Sequence, residues 1–383
     1  MTKEKNKSGE TTIILISATK NPPAPWADVP LSKWNDWQWQ LRHRLTNAND
    51  LATVIKLSAN EIEACKRVPF ALAVTPYYAS LINTTAALCP IRRQAIPSTE
   101  ELIINQEELE DPLAEETHMP VTGLTHRYQD RALLYLTHNC PVYCRHCNRK
   151  RKVGDPSSAL KTIELHEALN YLKRHYEVRD VLISGGDPLT INDDRLNSLL
   201  HSLRAIEHLE IIRLATRTPV TLPQRITKEL TDIIAKYHPI YVNTHFNHPS
   251  ECTNEAAQAL EQLANAGCVT GNQMVLLKGI NDDPTIVTKL NHWLLRHRCR
   301  PYYIFQADLA QGIAHFRTPI SSGLKILAAL RGHTSGLAVP HYVVDLPGGG
   351  GKVDLSNNYL VSHKGKTLVF NNYEGHHFSY EEG

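Results

Sequence analysis

The chain has 383 residues, 42% hydrophobic and 21% charged, enough apolar surface for one large core or two modest ones and unlike a disordered or fibrous composition. Its 41 Lys and Arg against 39 Asp and Glu leave a net charge of +2, so no overall field drives binding to nucleic acid or anionic lipid. The apolar run Ile13–Ala18 falls far short of the roughly 20 residues of a membrane span and lacks a signal-like cleavage context, so a soluble cytoplasmic protein with no membrane or nucleic-acid partner is expected.

Residues 1–25, with Lys3, Lys5, Lys7, Pro22, Pro23 and Pro25, carry no sustained periodicity and read as a flexible arm. An N-terminal helical region is expected over 26–125. Trp34, Trp37, Leu41 and Leu45 are spaced to share one helical face, further helices are predicted over Asn60–Cys65 and Tyr77–Leu88, and a Pro- and acid-containing connection follows from Pro97 to Pro120.

From residue 132 a repeat emerges. Apolar runs rich in β-branched residues, Ala132–Leu136, Asp180–Ile183, Ile211–Ala215, Ile240–Asn243, Val269–Val275 and Pro301–Phe305, alternate with amphipathic helical patterns such as ITKELTDIIAKY and NEAAQALEQLANAG. Six βα units predict an α/β fold with a parallel sheet and outer helices over 126–335. Polar clusters, among them SGGDP, TRTP, THFNHP and FQAD, sit at the C-terminal ends of the strands, where parallel βα barrels build their sites. A partial (β/α)6 TIM-like barrel, open on one side, is therefore expected; a doubly wound open sheet is the competing architecture. Residues 336–383 form a C-terminal segment and tail.

Eight cysteines are too few for a disulfide scaffold, yet Cys140, Cys144 and Cys147 crowd into one C-x3-C-x2-C loop after the first predicted strand. Three thiolates there can hold three irons of a [4Fe–4S] cube and leave the fourth open. A zinc site with His146 as fourth ligand is the alternative. In PGGGGK, four glycines precede Lys352, letting backbone approach a ligand and leaving the amine mobile. Val353 follows where a phosphate loop needs Ser or Thr, so imine formation with pyridoxal 5′-phosphate is the expected use. Arg127 and Arg131, four apart in HRYQDR, are expected on one face of a helix or turn, where they can grip a phosphate.

CPVYCRHCNRK resembles the cluster loop of radical S-adenosylmethionine enzymes, and SGGDPL the glycine-rich loop of that superfamily. Together with HRYQDR, TRTPVTLPQRIT, NTHFNHP, GNQMVLLKGIND, RPYYIFQADLAQG, HFRTP, LRGHTSG and VVDLPGGGGK, in order and spacing, they resemble the lysine 2,3-aminomutase family from roughly Trp34 to Tyr373. The resemblance implies a barrel of the radical S-adenosylmethionine type and an isomerase. It implies a cluster on Cys140, Cys144 and Cys147, with S-adenosylmethionine chelating its open iron and Ser184, Gly185, Gly186 and Asp187 near the methionine amino group. Pyridoxal phosphate would be held by Arg127, Tyr128 and Arg131 and bonded to Lys352, with His245, Gln273 and Tyr302 beside one cofactor or the other.

The implied reaction moves an amino group from carbon 2 to carbon 3 of an amino acid, through a 5′-deoxyadenosyl radical acting on the substrate held as an imine. Arg149 matches the arginine that pairs with the substrate carboxylate. Asp308 and Asp345 match the two aspartates that bind the side-chain ammonium in lysine-specific members and are replaced in the glutamate-acting branch. An external one-electron reductant of flavodoxin or ferredoxin type and a homo-oligomer are implied as partners. Some relatives carry a C-terminal cysteine cluster that binds zinc; none occurs here after Cys299, so no structural zinc is expected. Arginine in place of lysine, or an inactive iron–sulfur scaffold, are the alternatives.

Overall fold

The six β-branched runs fold as neighbouring parallel strands, and a hairpin extends the sheet at each edge. In the computed structural model, which describes residues 22–84, 86, 88–155 and 160–383, β1 (Leu124–Tyr128) pairs antiparallel with β2 (Arg131–Thr137). Then β3 (Asp180–Gly185), β4 (Ile211–Ala215), β5 (Ile240–Thr244), β6 (Val269–Leu276), β7 (Cys299–Gln306) and β8 (His341–Leu346) follow in chain order, all parallel to β2. Strand β9 (Gly351–Asp354) returns antiparallel to β8. The parallel array thus has one strand more than the six expected, and the segment from residue 336 supplies it. The arm expected over 1–25, with its Ile13–Ala18 run, lies outside the described residues as far as residue 21.

Strictly sequential order sends each crossover helix to the same face, so the sheet curls into a half-barrel. The helices start where side chains cap orphan amides: Asn192 accepts from Arg195 N–H, Thr227 from Leu230, Thr253 from Ala256 and Asp283 from Thr285 and Ile286. Their apolar stripes, such as Leu196, Leu199, Leu200 and Leu203, meet the outward side chains Leu134, Leu136, Val181, Ile183, Ile212, Leu214 and Val242 in one buried core. Each such leucine contributes about 1.5–3 kcal/mol. The strand positions of opposite parity, including Tyr135, Ser184, Asn243 and Asp345, point to the concave side.

Two local predictions need correction. Trp34 to Leu45 is not one helix: Asp36 caps a new start by accepting from Gln38 N–H, splitting Leu31–Trp34 from Trp37–Arg42, and Leu45 pairs with Val74 in an isolated bridge. Among the described residues of the predicted Tyr77–Leu88 helix, only those within Pro76–Ser80 are helical. The N-terminal helices share a core with the barrel's later half, Tyr77, Tyr78 and Ile91 clustering with Phe246, Leu290 and Ile304.

The two ends of the sheet meet. Lys352 N–H on β9 donates to Tyr128 Oη on β1 at 3.0 Å, and Arg127 on β1 lies 3.5 Å from Asp345 on β8. Beyond this seam, β10 (Leu360–Lys364), β11 (Thr367–Asn371) and β12 (His377–Glu381) form a separate antiparallel sheet with Leu360, Val361, Phe378 and Tyr380 exposed. No described helix is long and apolar enough to cross a membrane.

Candidate active site

The loop after β2 carries the three thiols and is fixed by the glycines after β3. Gly186 N–H donates to Thr137 O, and Asp187 N–H to Asn139 O at 2.8 Å. At Gly185, with φ +106°, a Cβ would lie 2.5 Å from Thr137 O, and at Gly186 one would overlap the Asn139 carbonyl. Only glycine permits that approach. The Asp187 carboxylate is engaged by Thr216 Oγ1 at 2.7 Å, Arg217 N–H at 2.8 Å and Leu189 N–H at 3.1 Å; it ties the β3 loop to the β4 loop.

The thiols of Cys140, Cys144 and Cys147 are half-buried. Burial first, then neighbouring negative charge including the other thiols, pushes Cys140 and Cys147 upward. Arg217, from TRTP, donates through Nη1 to Cys144 Sγ at 2.7 Å and through Nη2 to Gln94 Oε1 at 2.7 Å and Glu251 Oε1 at 2.5 Å. Arg149 N–H donates to Cys147 Sγ at 3.4 Å. Three thiols on one loop with N–H donors aimed at two of them fit an iron–sulfur cube, whose ligands sit on separate irons. Among the described residues no three His, Cys, Asp or Glu side chains converge as they would around a single ion.

The cations of this loop are matched by the connection at 97–120, which lies across it as a strap. Glu101 accepts from Arg145 at 2.6 Å and Lys150 at 2.9 Å. Glu115 pairs with Arg149 at 2.5 Å, Asp111 with Arg151 at 3.2 Å and Glu116 with Lys152 at 2.7 Å. None of these acids was singled out from sequence, although the cations of RHCNRKRK had to find partners.

HRYQDR is a β-hairpin, not the helix or turn face expected: Tyr128 and Arg131 are cross-strand partners, and both arginines lean on the Tyr128 ring, Arg127 at 4.7 Å and Arg131 at 4.1 Å. Facing them, Lys352 Nζ donates to Asp345 Oδ2 at 2.6 Å and lies over the rings of Phe305 at 4.2 Å and Tyr303 at 5.4 Å. Two guanidiniums on Tyr128, and an amine that shares Asp345 with Arg127, form a cradle that fits a phosphorylated aldehyde cofactor.

Asp308 accepts from Asn148 Nδ2 at 2.7 Å, one residue after Cys147. Its carboxyl is pushed up to about 6 by burial and then by the charge of Asp345, against the pull of Asn148, Lys352 and Arg149. Asp308 therefore feels the charges of Asp345, Lys352 and Arg149 together. Ser184 Oγ accepts from Arg149 Nη1 at 3.4 Å. A register shift between β6 and β7 pairs buried Gln273 with Tyr303 and leaves Tyr302 as an extra residue, its ring tilted against that of Tyr303 at 3.9 Å. The His245 ring, pushed down to about 4 by burial and then by Arg217 and Arg149, is a neutral imidazole.

Comparison with known proteins fits this geometry. Residues 134–289 match the family model for the radical SAM superfamily, and 327–383 that for lysine-2,3-aminomutase. An L-lysine 2,3-aminomutase of Fusobacterium nucleatum subsp. nucleatum is 50% identical over 93% of this chain and 84% of its own length. One of Bacillus subtilis is 50% identical over 93% and 76%. A glutamate 2,3-aminomutase of Clostridioides difficile is 45% identical over 89% and 81%. With the thiol loop inside one matched region and Lys352 inside the other, this chain belongs to the lysine 2,3-aminomutase family of radical SAM isomerases.

Proposed function

We propose that this chain moves the α-amino group of L-lysine from carbon 2 to carbon 3. One observation carries the reading: Asp308 accepts from Asn148, next to Cys147, and feels the charge of both Asp345 and Lys352, which are themselves paired at 2.6 Å. This nearness supports a cluster loop and a cofactor lysine that serve one site, as the chemistry requires. Overall similarity does not choose the substrate, since the glutamate-acting relative is nearly as close as those acting on lysine. Charge does. Asp308 and Asp345 attract an ammonium, each by on the order of 4 kcal/mol at about 4 Å and an effective dielectric near 20 before desolvation is subtracted, and they repel a side-chain carboxylate.

When bound, the cluster with S-adenosylmethionine supplies a hydrogen-abstracting carbon radical, and pyridoxal phosphate supplies the carbonyl carbon that takes the migrating nitrogen. The chain's own residues divide the remaining work. Cys140, Cys144 and Cys147 would hold the cluster; Arg127, Tyr128 and Arg131 the cofactor phosphate; Lys352 its aldehyde carbon. Arg149 binds the substrate carboxylate, while Asp308 and Asp345 bind the far ammonium, so the molecule is stretched between fixed charges with carbon 3 between them. Ser184, Gly185 and Gly186 line the approach to the cluster loop, with Asp187 bracing them from behind. Gln273, Tyr302 and neutral His245 line the concave side, where their polar atoms orient the cofactors without adding charge.

The cluster needs an external one-electron donor of flavodoxin or ferredoxin type. Exposed apolar residues on the tail sheet, Val361 and Phe378 among them, support association with further copies. The test is incubation of the anaerobically reduced holoenzyme with L-lysine, L-arginine and L-glutamate and identification of β-amino products. β-Lysine alone is expected; turnover of arginine or glutamate without lysine refutes the choice of substrate.

A further inference from the structure

We infer that Glu115 is a positioning residue for the substrate carboxylate: it grips Arg149 by one edge of the guanidinium and leaves the other edge to the substrate. The inference rests on the reading of Arg149 given above. Glu115 is buried in the strap over the cluster loop. Arg149 Nε donates to both its oxygens at 3.0 Å, and Nη2 donates to Oε1 at 2.5 Å. Nη1 keeps only a long contact, 3.4 Å to Ser184 Oγ. A guanidinium has five N–H donors arranged as two forks, each shaped for one carboxylate. Glu115 fills the fork made by Nε and Nη2; the fork made by Nη1 and the second hydrogen of Nη2 stays free.

The exposure of these groups separates this pair from a structural one. Arg145, whose guanidinium is held by Glu101, keeps 2% of its side-chain surface, whereas Arg149 keeps 19% with its partner at 6%. The Glu101 cluster already anchors the loop, and a buried ion pair is weak evidence of a stabilising role. Glu115 is itself fixed: Thr125 Oγ1 donates to its carbonyl at 2.9 Å, and the Tyr135 ring lies 5.6 Å from the Arg149 guanidinium. The free fork therefore has a set bearing relative to the cluster loop. Without Glu115 a carboxylate can take either edge, and carbon 3 is presented off line.

The test uses reconstituted holoenzyme of Glu115→Gln, Glu115→Asp and Arg149→Lys, with kcat and KM for L-lysine, iron content and visible cofactor absorbance measured on each. Glu115→Gln is expected to lower kcat at least about tenfold while KM moves less than about threefold, because binding survives and alignment does not. Iron content and cofactor absorbance should match the wild type. A kcat within about threefold of wild type overturns the inference, as does a loss of iron that tracks the loss of rate, which would make Glu115 a prop for the loop. Should Glu115→Gln fail to fold, Glu115→Asp, which keeps the charge on a shorter arm, is judged by the same split. An Arg149→Lys enzyme with unaltered constants would remove the reading of Arg149 itself; an impaired Arg149→Lys beside an unaltered Glu115→Gln removes only the role of Glu115.

Discussion

Replacing Asp308 with Asn should cost substrate affinity and also erase the acid limb of the pH–rate profile. The Asp308 carboxyl sits at about 6 because it is buried and faces Asp345, with Lys352, Arg149 and Asn148 as the remaining charged or polar neighbours. A carboxyl raised in this way is charged above that pH and neutral below it. Its attraction for an ammonium is therefore complete at neutrality and is lost as the pH falls through about 6. A single charge at about 4 Å provides on the order of 4 kcal/mol at an effective dielectric near 20. Dehydrating the ammonium offsets around half of that, leaving roughly 1.4–2.7 kcal/mol, or about 10- to 100-fold in kcat/KM. The assay is kcat/KM for L-lysine on reduced holoenzyme from about pH 5 to pH 8, where the free enzyme's titration is read. Wild type should lose about tenfold per pH unit on the acid side; Asp308→Asn should lack that limb and run 10- to 100-fold lower at neutrality. A variant within about threefold of wild type, or one that keeps the limb, refutes the assignment of Asp308 to the ammonium.

Lys352→Met should abolish the borohydride-trapped cofactor adduct and β-amino product while leaving iron content unchanged; a labelled variant would show that another amine reacts. Cys147→Ala should do the reverse, losing iron and the electron-paramagnetic signal of the reduced cluster but keeping the adduct on Lys352. Glu101→Gln leaves Arg145 and Lys150 buried without their carboxylate, and should destabilise the fold by about 3–5 kcal/mol in denaturant unfolding; a loss below about 1 kcal/mol would mean that water replaces the carboxylate.

The strands and the candidate site residues were legible because each leaves a short-range mark: a β-branched run, a thiol spacing, a lysine after glycines. What was missed depends on partners far along the chain. The spacing of Arg127 and Arg131 suits a helical turn and a tight hairpin equally; Gln129 and Asp130 make the hairpin, and only pairing with β3 decides it. The acids between Glu101 and Glu116 show no periodicity, so they read as a connection; their role appears only opposite Arg145, Arg149, Lys150, Arg151 and Lys152. Arg217 lay in the quoted TRTP motif without an assigned role, since nothing local tells that its guanidinium reaches Cys144. His341–Leu346 is a short strand with the polar Asp345 near its end and a Pro- and Gly-rich turn after it, and its membership in the sheet follows from β7 beside it.

The seam between the first and last strands of the half-barrel has a bearing on how the protein matures. Under the proposed assignment the cofactor's phosphate grip belongs to the opening hairpin and its carbonyl grip to the closing one, more than 200 residues later in the chain. Neither half of that clasp exists as a site until every intervening βα unit has been laid down in order. A nascent or truncated chain lacking Lys352 would therefore be unable to retain the cofactor, and capture of the aldehyde becomes a checkpoint that only a finished barrel can pass.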